Sequence, residues 1–113
     1  VSKVHQGAVI RRADLFGGSG TVDIYDLLEG RGMPPFAAVL SCELAPSGTV
    51  GAHRQEHCPE LVIVLEGEGE ATVNGRPQPL SPGSVVRLPL GSVLTLANHR
   101  DDAPLCYLIV KAR

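Results

Sequence analysis

GTVGAHRQEHCPELVIVLEG, residues 48–67, packs His53, Gln55, His57 and Glu60 into one short segment and then enters an unbroken apolar run, Leu61 to Leu65. Polar groups of ligand type therefore stand at the mouth of a strand that wants burial, which is how a β-barrel builds a pocket. Residues two apart in a strand share a face, so His53 and Gln55 are expected side by side, while Pro59 keeps Cys58 extended and helps the chain turn so that Glu60 faces both. An imidazole, an amide oxygen and a carboxylate converging on one point can bind a divalent metal or a small polar ligand.

Downstream of this stretch the chain keeps a short-strand rhythm. Extended runs are expected at 49–55, 60–66, 70–74, 85–88, 92–97 and 105–111, separated by Gly67-Glu68-Gly69, Asn74-Gly75, Ser81-Pro82-Gly83 and Pro89-Leu90-Gly91. Asn-Gly between two extended runs is a strong hairpin signal, because both residues accept the positive φ of a type I′ turn. Upstream, Val9-Ile10 reads as a first strand, followed by the loop Gly17-Gly18-Ser19-Gly20, a strand over 21–28, a turn over 30–35 and a strand over 36–44. No segment sustains a helical period. Eight or nine short antiparallel strands in one small domain, residues 1–113, mean an all-β sandwich or barrel, and the closed or rolled forms remove exposed edges.

Composition bounds the function. The 113 residues carry 43% hydrophobic and 19% charged side chains, suited to one folded domain, and a net charge of −2. With four aromatics in all (Phe16, Phe36, Tyr25, Tyr107) and no basic run, the chain lacks the electrostatics and stacking platforms of nucleic-acid binding. No apolar stretch approaches the ~20 residues that span a bilayer, and the first residues lack a signal-peptide layout, so a cytoplasmic location with no membrane partner is expected. Three cysteines without C-x-x-C spacing make a disulfide framework unexpected: Cys42 and Cys106 read as small core residues and Cys58 as a loop residue.

These residues carry a family resemblance. The segment from Gly48 to Asn98 resembles a single-domain cupin, whose first motif runs glycine, spacer, H-x-H, three or four residues, Glu, six residues and Gly; His53, Gln55, Glu60 and Gly67 stand at those places, over residues 48–67. The second motif, G-x5-P-x-G-x2-H-x3-N, is met by Gly83, Pro89, Gly91, Leu94 and Asn98, residues 83–98. The resemblance implies a double-stranded β-helix (jelly-roll) cupin barrel. It also implies a divalent metal (Zn, Fe, Mn or Ni) held by the first-motif residues, here His53, Gln55 and Glu60, together with the second-motif histidine. Two of the four imidazole positions differ: Gln55 offers an amide and Leu94 an alkyl group, so metal binding is expected to be limited by position 94. Leu94, if it projects inward, lines the pocket with His53, Gln55 and Glu60 and favours an organic ligand over a caged ion.

Each candidate has a plain structural reading too. His53 and Glu60 can simply partner one another, since a buried carboxylate needs a partner. His57 suits a solvated loop, His99 lies in a polar turn, and His5 sits near the terminus. Two functions stand open. One is a metal-dependent enzyme of dioxygenase, isomerase or lyase type with His57 as acid or base. The other is a metal-free cupin that binds or senses a small polar ligand, and a vestigial pocket is the third possibility. A homodimer is expected, because Leu61, Ile63 and Leu65 are as apolar as Val62 and Val64 on the opposite face of their strand, and the run 105–110 repeats this.

Overall fold

Each strand of the core presents one apolar face inward, and those faces close two antiparallel sheets over a shared core. A computed structural model describes residues 8–113. Its ten strands are β1 (Val9–Ala13), β2 (Thr21–Asp26), β3 (Phe36–Leu44), β4 (Thr49–Arg54), β5 (Glu60–Glu66), β6 (Gly69–Val73), β7 (Arg76–Leu80), β8 (Val85–Leu88), β9 (Val93–Asn98) and β10 (Leu105–Ala112). One 3-10 turn, Leu15–Gly17, interrupts them. Six strands pair in the order β1-β2-β3-β10-β5-β8 and four in the order β4-β9-β6-β7, the jelly-roll arrangement expected from the sequence. Leu44, Val62, Val64, Val86, Leu88, Leu105 and Tyr107 from the larger sheet meet Val50, Ala71, Leu80, Leu94 and Leu96 from the smaller one, all buried. Cys42 and Cys106 are buried, as expected of small core residues. No helix among the described residues is long and apolar enough to cross a membrane.

Several boundaries differ from the sequence reading for physical reasons. β1 extends past Ile10 to Ala13 because it pairs along its whole length with β2. β2 stops at Asp26 instead of Leu28: the Asp26 carboxylate accepts the Leu28 and Gly30 amides at 3.1 and 2.9 Å and folds the chain into a turn. β7 was not foreseen, since Pro77 and Pro79 argue against a strand. It is the outermost strand of the smaller sheet, where a missing N–H on the free side costs no ladder bond. Asn74 and Gly75, with φ of 50° and 81°, make the β6–β7 hairpin turn. His5 lies outside the described residues.

One irregularity positions the pocket. β4 pairs Val50 with Leu96 but His53 with Leu94, so it carries one extra residue at Gly51-Ala52. Plain alternation from the buried Val50 would send His53 outward; the bulge reverses the parity, leaving Ala52 exposed and turning His53 inward. The same place accepts the segment before β2. A Cβ on Gly51 would overlap the Phe16 carbonyl oxygen, and one on Gly18 would overlap the Thr49 carbonyl, so both must be glycine. Ser19 and Thr49 then exchange backbone hydrogen bonds of 3.1 and 2.8 Å.

The second motif ends in a clasp. Buried Asn98 directs its amide nitrogen at the carbonyls of Leu44, Ala45 and Ala103, 3.2, 3.1 and 2.9 Å away, and its Oδ1 accepts the Arg100 amide at 3.0 Å. It joins the β3–β4 turn to the β9–β10 turn. Asn98→Leu, which keeps the volume and strands those carbonyls, is expected to lower the unfolding free energy by about 3 kcal/mol in urea titration; a change within about 0.5 kcal/mol would show that the clasp carries no stability.

Candidate functional site

A cavity of about 340 Å³ opens into the barrel between the two sheets. Its walls include the buried Val22, Cys42, Val50, Leu94, Leu96 and Tyr107, and four polar side chains reach it: His53 from β4, Gln55 just past β4, Glu60 from the start of β5 and Lys111 from the end of β10. Arg12, Arg54, Glu56 and His57 are exposed at the rim, with Cys58 half-buried beside them. All four residues expected in the pocket, His53, Gln55, Glu60 and Leu94, thus line one cavity, and His57 stands at its edge.

Local hydrogen bonding fixes how each is presented. His53 Nδ1 lies 3.2 Å from the Gly51 carbonyl, which can only accept, so Nδ1 carries a hydrogen and the ring's other nitrogen, Nε2, is the one left for a further partner. The Phe16 ring stacks on the imidazole with centroids 4.1 Å apart and planes 13° from parallel. Gln55 is held by its backbone, its N–H donating to Ser92 O at 2.9 Å and its carbonyl accepting from Gly91 N at 2.8 Å. Its side chain is buried, and its Nε2 has no hydrogen-bond partner among the described residues.

Glu60 is a buried acid. Its side chain is 6% exposed and pairs with Lys111 Nζ at 3.7 Å. Burial pushes its carboxyl above the ordinary range, while the Lys111 ammonium and then His53 pull it back part of the way. Burial also pushes the Cys42 thiol up to about 12, which keeps it protonated in the cavity wall. The sequence reading missed Lys111 and Arg12. The signal for Lys111 was present: Leu105, Tyr107, Ile109 and Lys111 share one strand face, and three of them are apolar. Arg12 had no comparable signal, because the inward face of β1 is set by pairing with β2.

The metal implied by the resemblance was set against this donor set. One imidazole, one amide and one carboxylate remain, Leu94 closes the position opposite His53 in the β4–β9 ladder, and the carboxylate already faces an ammonium. No group of three or more His, Cys, Asp or Glu able to hold an ion occurs among the described residues. A divalent ion at Glu60 would have to sit against the Lys111 charge, so the residues present do not fit a resident metal.

The Cupin domain family model matches residues 40–111. An oxalate-binding protein of Thermotoga maritima is 33% identical over 76 residues, 66% of this chain and 63% of that protein, so the chain matches less than two thirds of the relative's length. The crystal structure of a predicted oxalate decarboxylase from Thermotoga maritima superposes with a TM-score of 0.85 at 27% identity, covering 93% of this chain and 91% of the other. A cupin 2 conserved barrel domain protein from Salinispora arenicola follows at 0.68 and 26%, covering 81% and 76%.

The electrostatics of Glu60 give a pH test. Its folded pKa is raised, so its contribution to stability is fully present below the unfolded value and is lost as pH rises through the folded one. Glu60→Gln should therefore gain in melting temperature over the wild type as pH is raised from about 4 to about 8. A constant gap across that range would mean that the carboxyl is not perturbed.

Proposed function

The chain belongs to the cupin domain family, and from that premise we propose that its barrel binds a small organic acid without a resident metal ion, as a binding or sensing protein. The carrying observation is Gln55, which lines the cavity and whose buried amide nitrogen has no partner among the described residues. An unsatisfied buried donor costs about 1–3 kcal/mol, and a ligand oxygen would recover that. The apolar floor around Leu94 suits the carbon skeleton of an organic ligand. The name of the oxalate-binding relative supports the acid class, and 340 Å³ leaves room for acids larger than oxalate.

A second reading is a metal-dependent enzyme with His53, Gln55 and Glu60 as ligands and His57 as acid or base. The way His53 is held favours it, since a ring fixed through Nδ1 offers Nε2 for ligation. Titration calorimetry of chelator-treated protein with oxalate separates the two: heat of binding without added ions is expected, and binding that appears only with a divalent ion would replace the first reading by the second. By elemental analysis the desalted wild type should carry well under one ion per chain, and Gln55→His with Leu94→His should raise it.

We also infer that a second copy covers the outer face of the larger sheet. Leu61 and Val85 are 40% and 46% exposed there, and Ile63, Leu108 and Val110 lie beside them in register. Sedimentation at micromolar concentration should give a dimer, and Leu61→Asp with Val85→Asp a monomer. A monomeric wild type would remove this inference.

A further inference from the structure

Lys111 lies at the cavity but outside the two sequence motifs. It is the last inward residue of β10, after Leu105, Tyr107 and Ile109, and it pairs in register with Glu60 of β5. A lysine at the end of a buried strand face ordinarily turns its ammonium out to solvent. Here the side chain remains 36% exposed and stays at the cavity, with Nζ 3.7 Å from a carboxylate that is itself 6% exposed. That separation exceeds the ~2.8 Å of a charge-assisted hydrogen bond. The pair is therefore a loose Coulombic one, and Nζ donates no hydrogen bond to an acceptor among the described residues. Up to three ammonium hydrogens are left for a third party.

We propose that the Lys111 ammonium takes the part a metal ion would play in this barrel: it is the cationic anchor for one carboxylate of the ligand, with the Gln55 amide nitrogen as the second donor. This rests on the metal-free acid-binding reading above. The two donors reach the cavity from opposite sheets, Lys111 from the six-stranded one and Gln55 from just past β4 of the other, so a small acid bridges the sheets when it binds. The remaining charges fit an anion. Arg12 and Arg54 stand at the rim, against Glu56 at the rim and Glu60 inside. Leu94 and Leu96 offer nothing that repels the carbon end of such a ligand.

Glu60 then has a role opposite to that of a metal ligand. It holds Lys111 in place while the pocket is empty, and it competes with the incoming carboxylate for the ammonium. A metal-centred site loses binding when its carboxylate is neutralised; a lysine-centred one gains it. This difference in sign is what the test reads.

Chelator-treated wild type, Lys111→Met, Lys111→Arg, Gln55→Leu and Glu60→Gln are titrated with oxalate and with oxamide, its uncharged analogue, by calorimetry, and each variant's melting curve is recorded. Oxalate should bind wild type and Lys111→Arg within a few-fold of one another, Lys111→Met about tenfold or more weakly, and Glu60→Gln more tightly than wild type. Oxamide should bind none of them measurably. If Lys111→Met binds oxalate as wild type does while Gln55→Leu loses it, the lysine anchor is wrong and metal-free acid binding stands. If Glu60→Gln binds more weakly, the carboxylate holds the ligand directly and the anchor is again overturned. Should oxalate bind only after a divalent ion is restored, both readings fall together. A Lys111→Met protein that does not fold passes the decision to Glu60→Gln, whose sign suffices.

Discussion

β10 is the strand on which both the larger sheet and the pocket depend. It is bonded along one edge to β3 and along the other to β5, so its register determines where the residues of both neighbours stand. Its inward face places Leu105 and Tyr107 in the core and Lys111 at the cavity, opposite Glu60. A central strand cannot slip by one residue without exchanging its buried and outward faces, so the Lys111–Glu60 pairing is secured by the burial of Leu105 and Tyr107 further along. A weak ion pair is thereby held in one geometry by apolar packing, and its own strength has little to do with it.

The opposite wall is built by a local departure from regularity. The extra residue in β4 turns His53 inward, and the glycine within that bulge lets the Phe16 backbone come down onto the strand. The bulge carbonyl of Gly51 then accepts the imidazole hydrogen, and the Phe16 ring covers one face of the imidazole. One glycine thus links the direction of a side chain, its tautomer and the position of an aromatic cover. Phe16 itself has a φ of 54°, a conformation costly for a bulky residue, and the close seating of its neighbours on β4 holds it there.

The chemistry of the pocket follows from the charges that share it. In the metal-free reading proposed above, an amide at position 55 and an alkyl group at position 94 leave few donors to offset the desolvation of a divalent ion, and the Lys111 ammonium supplies positive charge by another route. An ammonium on a flexible stem gives less geometric control than a metal. That suits recognition of a small acid better than activation of one.

The turns, most of the strands and the motif residues were legible in the amino-acid order because each rests on local chemistry: Asn74-Gly75 accepts positive φ, Pro89 and Gly91 end a strand, and Leu61 to Leu65 demand burial. His53, Gln55 and Glu60 could be named as pocket residues from their spacing, and Leu94 only from the resemblance to the second cupin motif. The reason first given for His53 and Gln55, simple alternation along one strand, was incomplete, because β4 bulges before His53 and ends before Gln55. β7 escaped notice because two prolines are tolerable only on a sheet edge, and which strand is an edge is a property of the assembled sheet. By itself the sequence determined an all-β chain of short antiparallel strands with a polar cluster at the mouth of an apolar run. Only the tertiary structure brought Lys111 from the far end of the chain to Glu60 and left the Gln55 amide nitrogen without a partner among the described residues. Pairing between distant strands and the hydrogen bonds of a closed interior depend on the whole barrel, and no local window contains them.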